Sequence, residues 1–340
     1  MRPVDDLDWI RVEEPSAAGR VRRAAMAVAG RLGFDEHRAG ELGLAATELA
    51  TNLHRHAVAG TVVVRVRRAD ALAAVELVAL DGGPGIDDLG VVMADGHSTS
   101  GTLGVGLGTV RRLASHYDAH SVPGRGTVVV VTFWPAGTPA AVARGDRSVA
   151  VLSRPIGGEE VCGDAGTWRA DGDGFTVMLA DGLGHGPLAA TASQEAVRAF
   201  EASALARVAE PGDILAAIHR ALGGTRGAAV SVARVDAAAG RVRFAGVGNV
   251  AGWLDDGERR RGMATVPGIV GHKRPAIRSM EYPLPPGALV VLHTDGLTEK
   301  WSLGDYPGIR RHEALVSAAT LLRDAGIRHD DASVLVVGAP

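Results

Sequence analysis

The chain has 340 residues, of which 46% are hydrophobic, 22% charged and 4% aromatic, with a formal net charge of -3. That length suits two domains, each able to bury its own core, and the composition excludes long disorder. Acidic and basic residues are mixed throughout, which leaves no electrostatic footprint for nucleic acid, and no apolar run approaches a membrane span. The single cysteine, Cys162, cannot form an internal disulfide, and no charged-then-apolar leader opens MRPVDDLDWIRV. The expectation is a cytoplasmic chain whose partners are proteins and nucleotides.

Taken in order, apolar residues at helical spacing predict helices over Ala17 to Leu32 and Glu36 to Ala57, then alternation predicts a hairpin of Thr61 to Arg67 and Leu72 to Leu80. A third helix is expected from about Gly104 to His116, followed by a strand from Gly126. Together these imply one mixed sheet covered on one face by helices. Ala136 to Arg147 lacks apolar periodicity and reads as a linker, so the chain divides into residues 1–138, a linker at 139–147, and residues 148–340. Beyond it, strands are expected at Ser148 to Ser153, Phe175 to Ala180, Ala228 to Val235, Arg241 to Val247, Ala288 to His293 and Ser333 to Val337. Helices fit Pro187 to Leu205, Asp213 to Leu222 and His312 to Asp324. Strands with helix pairs between them suggest a sandwich of two sheets with helices outside. The fold class is therefore α+β in both halves.

In ATELATNLHRHA, Glu48 and Asn52 lie four apart and share one helix face. A carboxylate there can take the proton of an attacking hydroxyl, and an amide oxygen can complete the shell of a magnesium ion bridging phosphates. Alone, such a pair is more often a solvated face. Asp81 opens DGGPGIDD at a strand end, where a carboxylate can accept from an exocyclic amine, with Gly83 and Gly85 letting backbone approach a purine. Then GTLGVGLGTV sets Gly104, Gly106 and Gly108 before a helix, so that backbone N–H groups can face an anion. Three such pieces in order seldom coincide.

These segments resemble the N, G1 and G2 boxes of the GHKL ATPase superfamily, and residues 10 to 135 are similar to its RsbT-type serine kinases. The resemblance implies a Bergerat α/β sandwich binding ATP with magnesium. Glu48 would be the base, Asn52 the magnesium ligand, Asp81 the adenine reader, Gly83 and Gly85 the pocket floor, and the three later glycines the phosphate cradle. No histidine-bearing dimerisation helix precedes the N box, which argues against a histidine kinase; His54 and His56 read as surface or packing residues.

In the second half, Asp164 in GDAG, Asp181 in ADGLGHG, Asp295 in HTDGLTE and Asp330 in HDDAS stand out, and three of them sit at strand ends or beside expected strands. One Asp-Gly pair is an ordinary turn. Four converging carboxylates, by contrast, repel unless cations neutralise them, and oxygen ligands without histidine or cysteine favour two magnesium or manganese ions. Water held between such ions is a ready nucleophile for a phosphoester. With GTRGAAVSV and FAGVGNV, the pattern over residues 148 to 340 resembles the PPM metal-dependent serine/threonine phosphatases in their SpoIIE and RsbX form, an αββα sandwich. The resemblance implies a shell of Asp181, the Gly182 carbonyl, Asp295 and Asp330, with Asp164 a further ligand and Asp331 standing where many relatives carry Asn. The arginine that grips phosphate in many relatives has no clear counterpart, and Arg154 and Arg226 are the candidates. His185 reads as a loop residue, Cys162 as a small buried hydrophobe, and the runs RVRR (20–23) and GERRRG (257–262) as solvated faces or loop tips. The second run could also attract a phosphorylated partner.

Both resemblances together imply a partner-switching regulator that phosphorylates and dephosphorylates a serine on a STAS-domain antagonist or scaffold protein. The rival reading makes the first half a non-catalytic module whose ATP occupancy captures or releases a sigma factor or another phosphatase.

Overall fold

The computed structural model describes residues 4–69, 71–92, 106–157, 159–172, 174–203, 210–273, 276–327 and 329–338. Two compact units emerge: Pro3–Asp146 with Pro307–His312, and Arg147–Tyr306 with Glu313–Pro340.

The first unit contains β1 (Val4–Arg11), α1 (Ser16–Arg31), α2 (Glu36–His56), β2 (Thr61–Ala69), β3 (Leu72–Asp81), α3 (Leu89–Val92), α4 (Leu107–Leu113), β4 (His116–Val122), β5 (Gly126–Phe133) and α5 (Ala140–Arg144). Its sheet runs β1-β2-β3-β5-β4. Every neighbouring pair is antiparallel, so the expected mixed sheet is replaced by an antiparallel one. Alternation decides which face the helices cover. Val62, Val64 and Val66 of β2 with Val75, Leu77 and Ala79 of β3 join Val21, Ala25 and Val28 of α1 and Leu42, Ala46, Leu49 and Leu53 of α2 in one core. Asp35 caps α2 by accepting the Arg38 N–H at 2.7 Å, a contact of a kind that contributes about 1 kcal/mol. Glu36 in the first turn and His54, Arg55 and His56 in the last suit the helix dipole. Packing of the Leu42–Leu49–Leu53 stripe leaves Glu48 and Asn52 half-exposed at its rim. The expected third helix spans only Leu107–Leu113 among described residues, and His116 already belongs to β4.

The second unit contains β6 (Val149–Arg154), β7 (Asp164–Asp171), β8 (Gly174–Gly182), α6 (Pro187–Ser203), α7 (Pro211–Ala221), β9 (Ala228–Asp236), β10 (Arg241–Val247), β11 (Ala251–Asp255), β12 (Arg260–Met263), β13 (Met280–Pro283), β14 (Leu289–His293), α8 (Ala314–Ala325) and β15 (Ala332–Val337). Two five-stranded sheets, β13-β10-β9-β8-β7 and β12-β11-β14-β15-β6, form the sandwich. Phe200 of α6 and Ile214, Leu215 and Ile218 of α7 share a core with Met178, Val230 and Val232 of the first sheet, while α8 packs on β6 and β15 of the second. The result is the αββα arrangement that alternating apolar strands require when each sheet must bury two faces.

Gly126 shows how tightly the first sheet fixes its Asp81 end. At φ 91° its missing side chain leaves room for the Asp81 carbonyl, which would stand 1.9 Å from a Cβ. We expect Gly126→Ala to destabilise the first unit by at least ~1–3 kcal/mol, read as a lower denaturation midpoint. An unchanged midpoint would mean that this strand end moves aside freely.

Candidate functional sites

Glu48 and Asn52 stand one turn apart on α2. Burial pushes the Glu48 carboxyl up against the opposing pull of Arg55, which makes it a better proton acceptor than a solvated glutamate. Asp81 ends β3 and is buried, with Oδ1 accepting the Gly83 N–H at 2.7 Å. Gly85 lies against the Val122 carbonyl, which a Cβ would meet at 2.3 Å. Gly106 caps α4 in extended conformation, and Gly108 is buried in its first turn; Gly104 lies outside the described residues. His54 and His56 are exposed.

The sequence reading missed a hydroxyl pair beside Asp81. Thr127 pairs with Asp81 across β5 and β3, and its Oγ1 is 2.9 Å from Ser121 Oγ, which accepts the Ile86 N–H at 2.8 Å. The signal was present in SVPGRGT, where both hydroxyls flank the tight turn into β5. A carboxylate and two hydroxyls at one strand end can read the edge of a planar, nitrogen-rich ring.

In the second unit, strand pairing assembles the acidic residues. Asp164 opens β7 directly opposite Asp181 near the end of β8. Asp295 follows β14, and Asp330 precedes β15, its neighbour in the other sheet. Asp181 is pushed from 3.8 up to about 7 by burial first, then by the charges of Asp295, Asp330 and Asp331. Asp164 is raised well above the carboxylate range by burial and by Asp181, although Thr294 Oγ1 donates to its Oδ2 at 2.8 Å. Asp330 is raised by burial and by Asp295. Gly182 has the backbone of α6 against it, with the Ala189 carbonyl 2.1 Å from where a Cβ would sit, so only glycine brings its main chain this close.

Asp331 is buried, and each oxygen accepts a backbone N–H, from Ile156 at 2.8 Å and Gly163 at 2.9 Å. Its role is to tie the β6 and β7 ends to β15. Asn249, Thr294 and Ser333 escaped the sequence reading: Asn249 Nδ2 donates to Asp295 Oδ2 at 2.6 Å, and Thr294 Oγ1 accepts the Ser333 N–H at 3.0 Å. The motif FAGVGNV contained the first of them. His185 is an exposed loop residue 3.1 Å from Glu159. Cys162 is half-buried, with its thiol pushed up by burial and by Asp164 and Asp331.

Among the described residues, no three carboxylate, histidine or cysteine side chains close around one point as a finished cation shell. The donor set nonetheless fits hard divalent cations. Its groups are oxygens, and burial together with their neighbouring charges raises the proton affinity of Asp164, Asp181 and Asp330.

A family model described as stage II sporulation protein E matches residues 171–340, half of the chain. The chain belongs to the SpoIIE family. A histidine kinase-like ATPase domain matches residues 12–133. The serine/threonine-protein kinase RsbT of Bacillus subtilis (strain 168) is 33% identical over 131 residues, 38% of this chain and 98% of that protein. A solved chain from work on the bacterial stressosome, described as a modular system adapted to control secondary messenger signaling, is 30% identical. It has a TM-score of 0.50 and covers 55% of this chain and 97% of its own. RsbX in complex with magnesium is 22% identical, with a TM-score of 0.46 over 56% of this chain and 94% of that one. The SpoIIE-family chain thus joins a GHKL-like, kinase-related ATPase domain to a PPM phosphatase fold, a combination that fits a partner-switching regulator. No helix among the described residues is long and apolar enough to cross a membrane.

The acidic cluster sets the pH response of the metal-free protein. A folded-state affinity raised from 3.8 to about 7 at Asp181 favours the folded chain below the lower value, and that contribution is lost as pH rises through the upper one. The melting temperature of metal-free protein should therefore fall between about pH 5 and about pH 8, and manganese should restore it at the higher pH by binding the folded state. A flat profile would count against a repelling cluster.

Proposed function

We propose that this SpoIIE-family chain is a two-way cytoplasmic switch acting on a serine of a STAS-domain antagonist or scaffold protein. Residues 1–138 would transfer phosphate to it from ATP, residues 148–340 would remove the phosphate, and 139–147 would join the two. The observation that carries the reading is the gathering of Asp164, Asp181, Asp295 and Asp330 at strand ends under mutual repulsion. The likeness to RsbT over nearly that protein's whole length supports the kinase half.

In the first half, the α2 carboxylate of Glu48 would take the proton of the attacking serine, and Asn52 would hold the magnesium that accompanies ATP. Asp81, with Gly83 and Gly85 behind it, would accept from the adenine amine, and Gly104, Gly106 and Gly108 would line the phosphates. In the second half, Asp181, the Gly182 carbonyl, Asp295 and Asp330 would hold two magnesium or manganese ions, with Asp164 a further ligand. When bound, such ions supply the positive charge that makes water nucleophilic and steadies the departing serine oxygen. Asn249 would orient Asp295, and Thr294 would orient Asp164.

For the phosphate itself, Arg226 is the better placed arginine. Arg154 donates to the Ile327 carbonyl at 2.5 Å. Arg226 makes no hydrogen bond or ion pair among the described residues, and it precedes Gly227, whose carbonyl accepts the Leu183 N–H at 3.1 Å. Its Nη1 lies 3.4 Å from where a Cβ on Gly184 would sit, beside the Asp181–Gly182 turn. A guanidinium held there can engage a phosphate dianion through two parallel bonds.

Four measurements separate the parts. Glu48→Gln should lower transfer from ATP to a STAS-domain protein by ~10²–10⁴-fold while leaving manganese-dependent hydrolysis of a small aryl phosphate intact. Asp295→Ala should abolish that hydrolysis and spare the transfer. ATP binding by the parent protein with no transfer would replace the kinase reading with an ATP-gated binding module for a sigma factor or another phosphatase. Arg226→Ala should raise KM for the aryl phosphate by about 10-fold or more, the loss expected for a charge-assisted hydrogen bond, with manganese affinity unchanged. A normal KM would remove Arg226 from the site.

A further inference from the structure

The run GERRRG, expected at a solvated loop tip, is only partly so: Arg259 is exposed, but Arg260 is half-buried in β12. Its guanidinium lies between two indoles, 4.2 Å from the ring centre of Trp253 and 4.3 Å from that of Trp301. The indoles stand edge to face at 82°. From that slot Nη1 donates to the Trp301 carbonyl and Nη2 to the Glu299 carbonyl, both at 2.7 Å.

Those two carbonyls belong to the segment that leaves β14 and carries Thr294 and Asp295. On its other side the same segment is fastened to the end of α8. The Thr298 N–H donates to Ala325 at 2.9 Å, and the Gly296 carbonyl accepts from Ile327 at 2.7 Å. His293 underpins it. Both indole N–H groups point at its Nε2, from 3.1 Å for Trp253 and 3.4 Å for Trp301, and its Nδ1 is 2.9 Å from the Thr294 carbonyl. With two donors facing Nε2, the ring hydrogen sits on Nδ1. A planar cation with forked donors is suited to filling such a slot while bonding two carbonyls, which a lysine cannot do at once.

We propose that Arg260 is a positioning residue for cation binding: packed against two indoles and bonded to the Glu299 and Trp301 carbonyls, it fixes where Asp295 stands relative to Asp181 and Asp330. The inference rests on the phosphatase reading above, but it concerns residues that touch neither substrate nor cation. Loss of the clamp frees one side of the segment, while Asn249, Ala325 and Ile327 still hold the other. Asp295 then has more positions to occupy, and the cation must restrict them on binding.

The test is manganese affinity of the full chain, measured by calorimetry, with melting temperature recorded alongside. Arg260→Ala should weaken manganese binding by about 10-fold or more, in line with loss of a supporting residue around a metal site. Hydrolysis of an aryl phosphate should recover at saturating manganese. Arg260→Lys, which keeps the cation in the slot but loses the fork, should fall between the two. If the alanine variant does not fold, the lysine variant carries the comparison. Parent-like manganese affinity in a folded Arg260 variant would overturn the clamp and leave the phosphatase reading standing. Weakened affinity in the variant, beside a parent that binds manganese but hydrolyses no phosphoester, would support the clamp and sink the reading. A parent that binds no manganese would overturn both.

Discussion

Like charges held close together govern the second unit. Asp164 and Asp181 face each other across β7 and β8, while Asp295 and Asp330 come from the other sheet. Burial first, and then the neighbouring carboxylates, make Asp164, Asp181 and Asp330 harder to ionise. A fold organised only for stability would separate such groups or pair them with arginine. Here the sandwich spends its strand pairing, its close-packed glycines and the hydrogen bonds of Thr294 and Asn249 on keeping them together. That expenditure makes sense for a site completed by cations.

The first unit handles its polar end differently. Its polar candidates are borne on separate elements, Glu48 and Asn52 on α2 and Asp81 on β3, and its tight points include backbone contacts at Gly126 and Gly85. Beside Asp81 the hydroxyls of Ser121 and Thr127 add directional groups without adding charge. The second unit instead concentrates charge. The two units thus build contrasting polar ends from the same raw material of short antiparallel strands.

Much of this was legible in the sequence, and the failures share a cause. The central strands β2, β3, β5, β8, β9, β10, β14 and β15 were anticipated because both faces are buried and apolar residues dominate, and so was the edge strand β6, whose VAVL run is buried and apolar. Apart from β11, every strand that went unseen, namely β1, β4, β7, β12 and β13, lies at a sheet edge. Edge strands such as VDDLDWIR and HYDAHSV admit charge and break the alternation. Asp164, Asp181 and Asp295 are marked by glycine-flanked turns, and Asp330 by the apolar strand that follows it. Arg260, Asn249 and the Ser121–Thr127 pair did not, because their meaning depends on partners tens of residues away that only strand register brings near. Arg260 looked like surface charge until Trp253 and Trp301 were seen on either side of it.

Asp331 has one more consequence. Both of its oxygens accept main-chain N–H groups, from Ile156 and Gly163. An asparagine in the same pose would turn its amide hydrogens toward one of those donors. The local path of the chain at residues 156 and 163 therefore favours a carboxylate, and with it an additional negative group beside Asp164, Asp181 and Asp330. Charge and backbone shape are coupled at this position: an asparagine would set an amide N–H against a main-chain donor of the loop between β6 and β7.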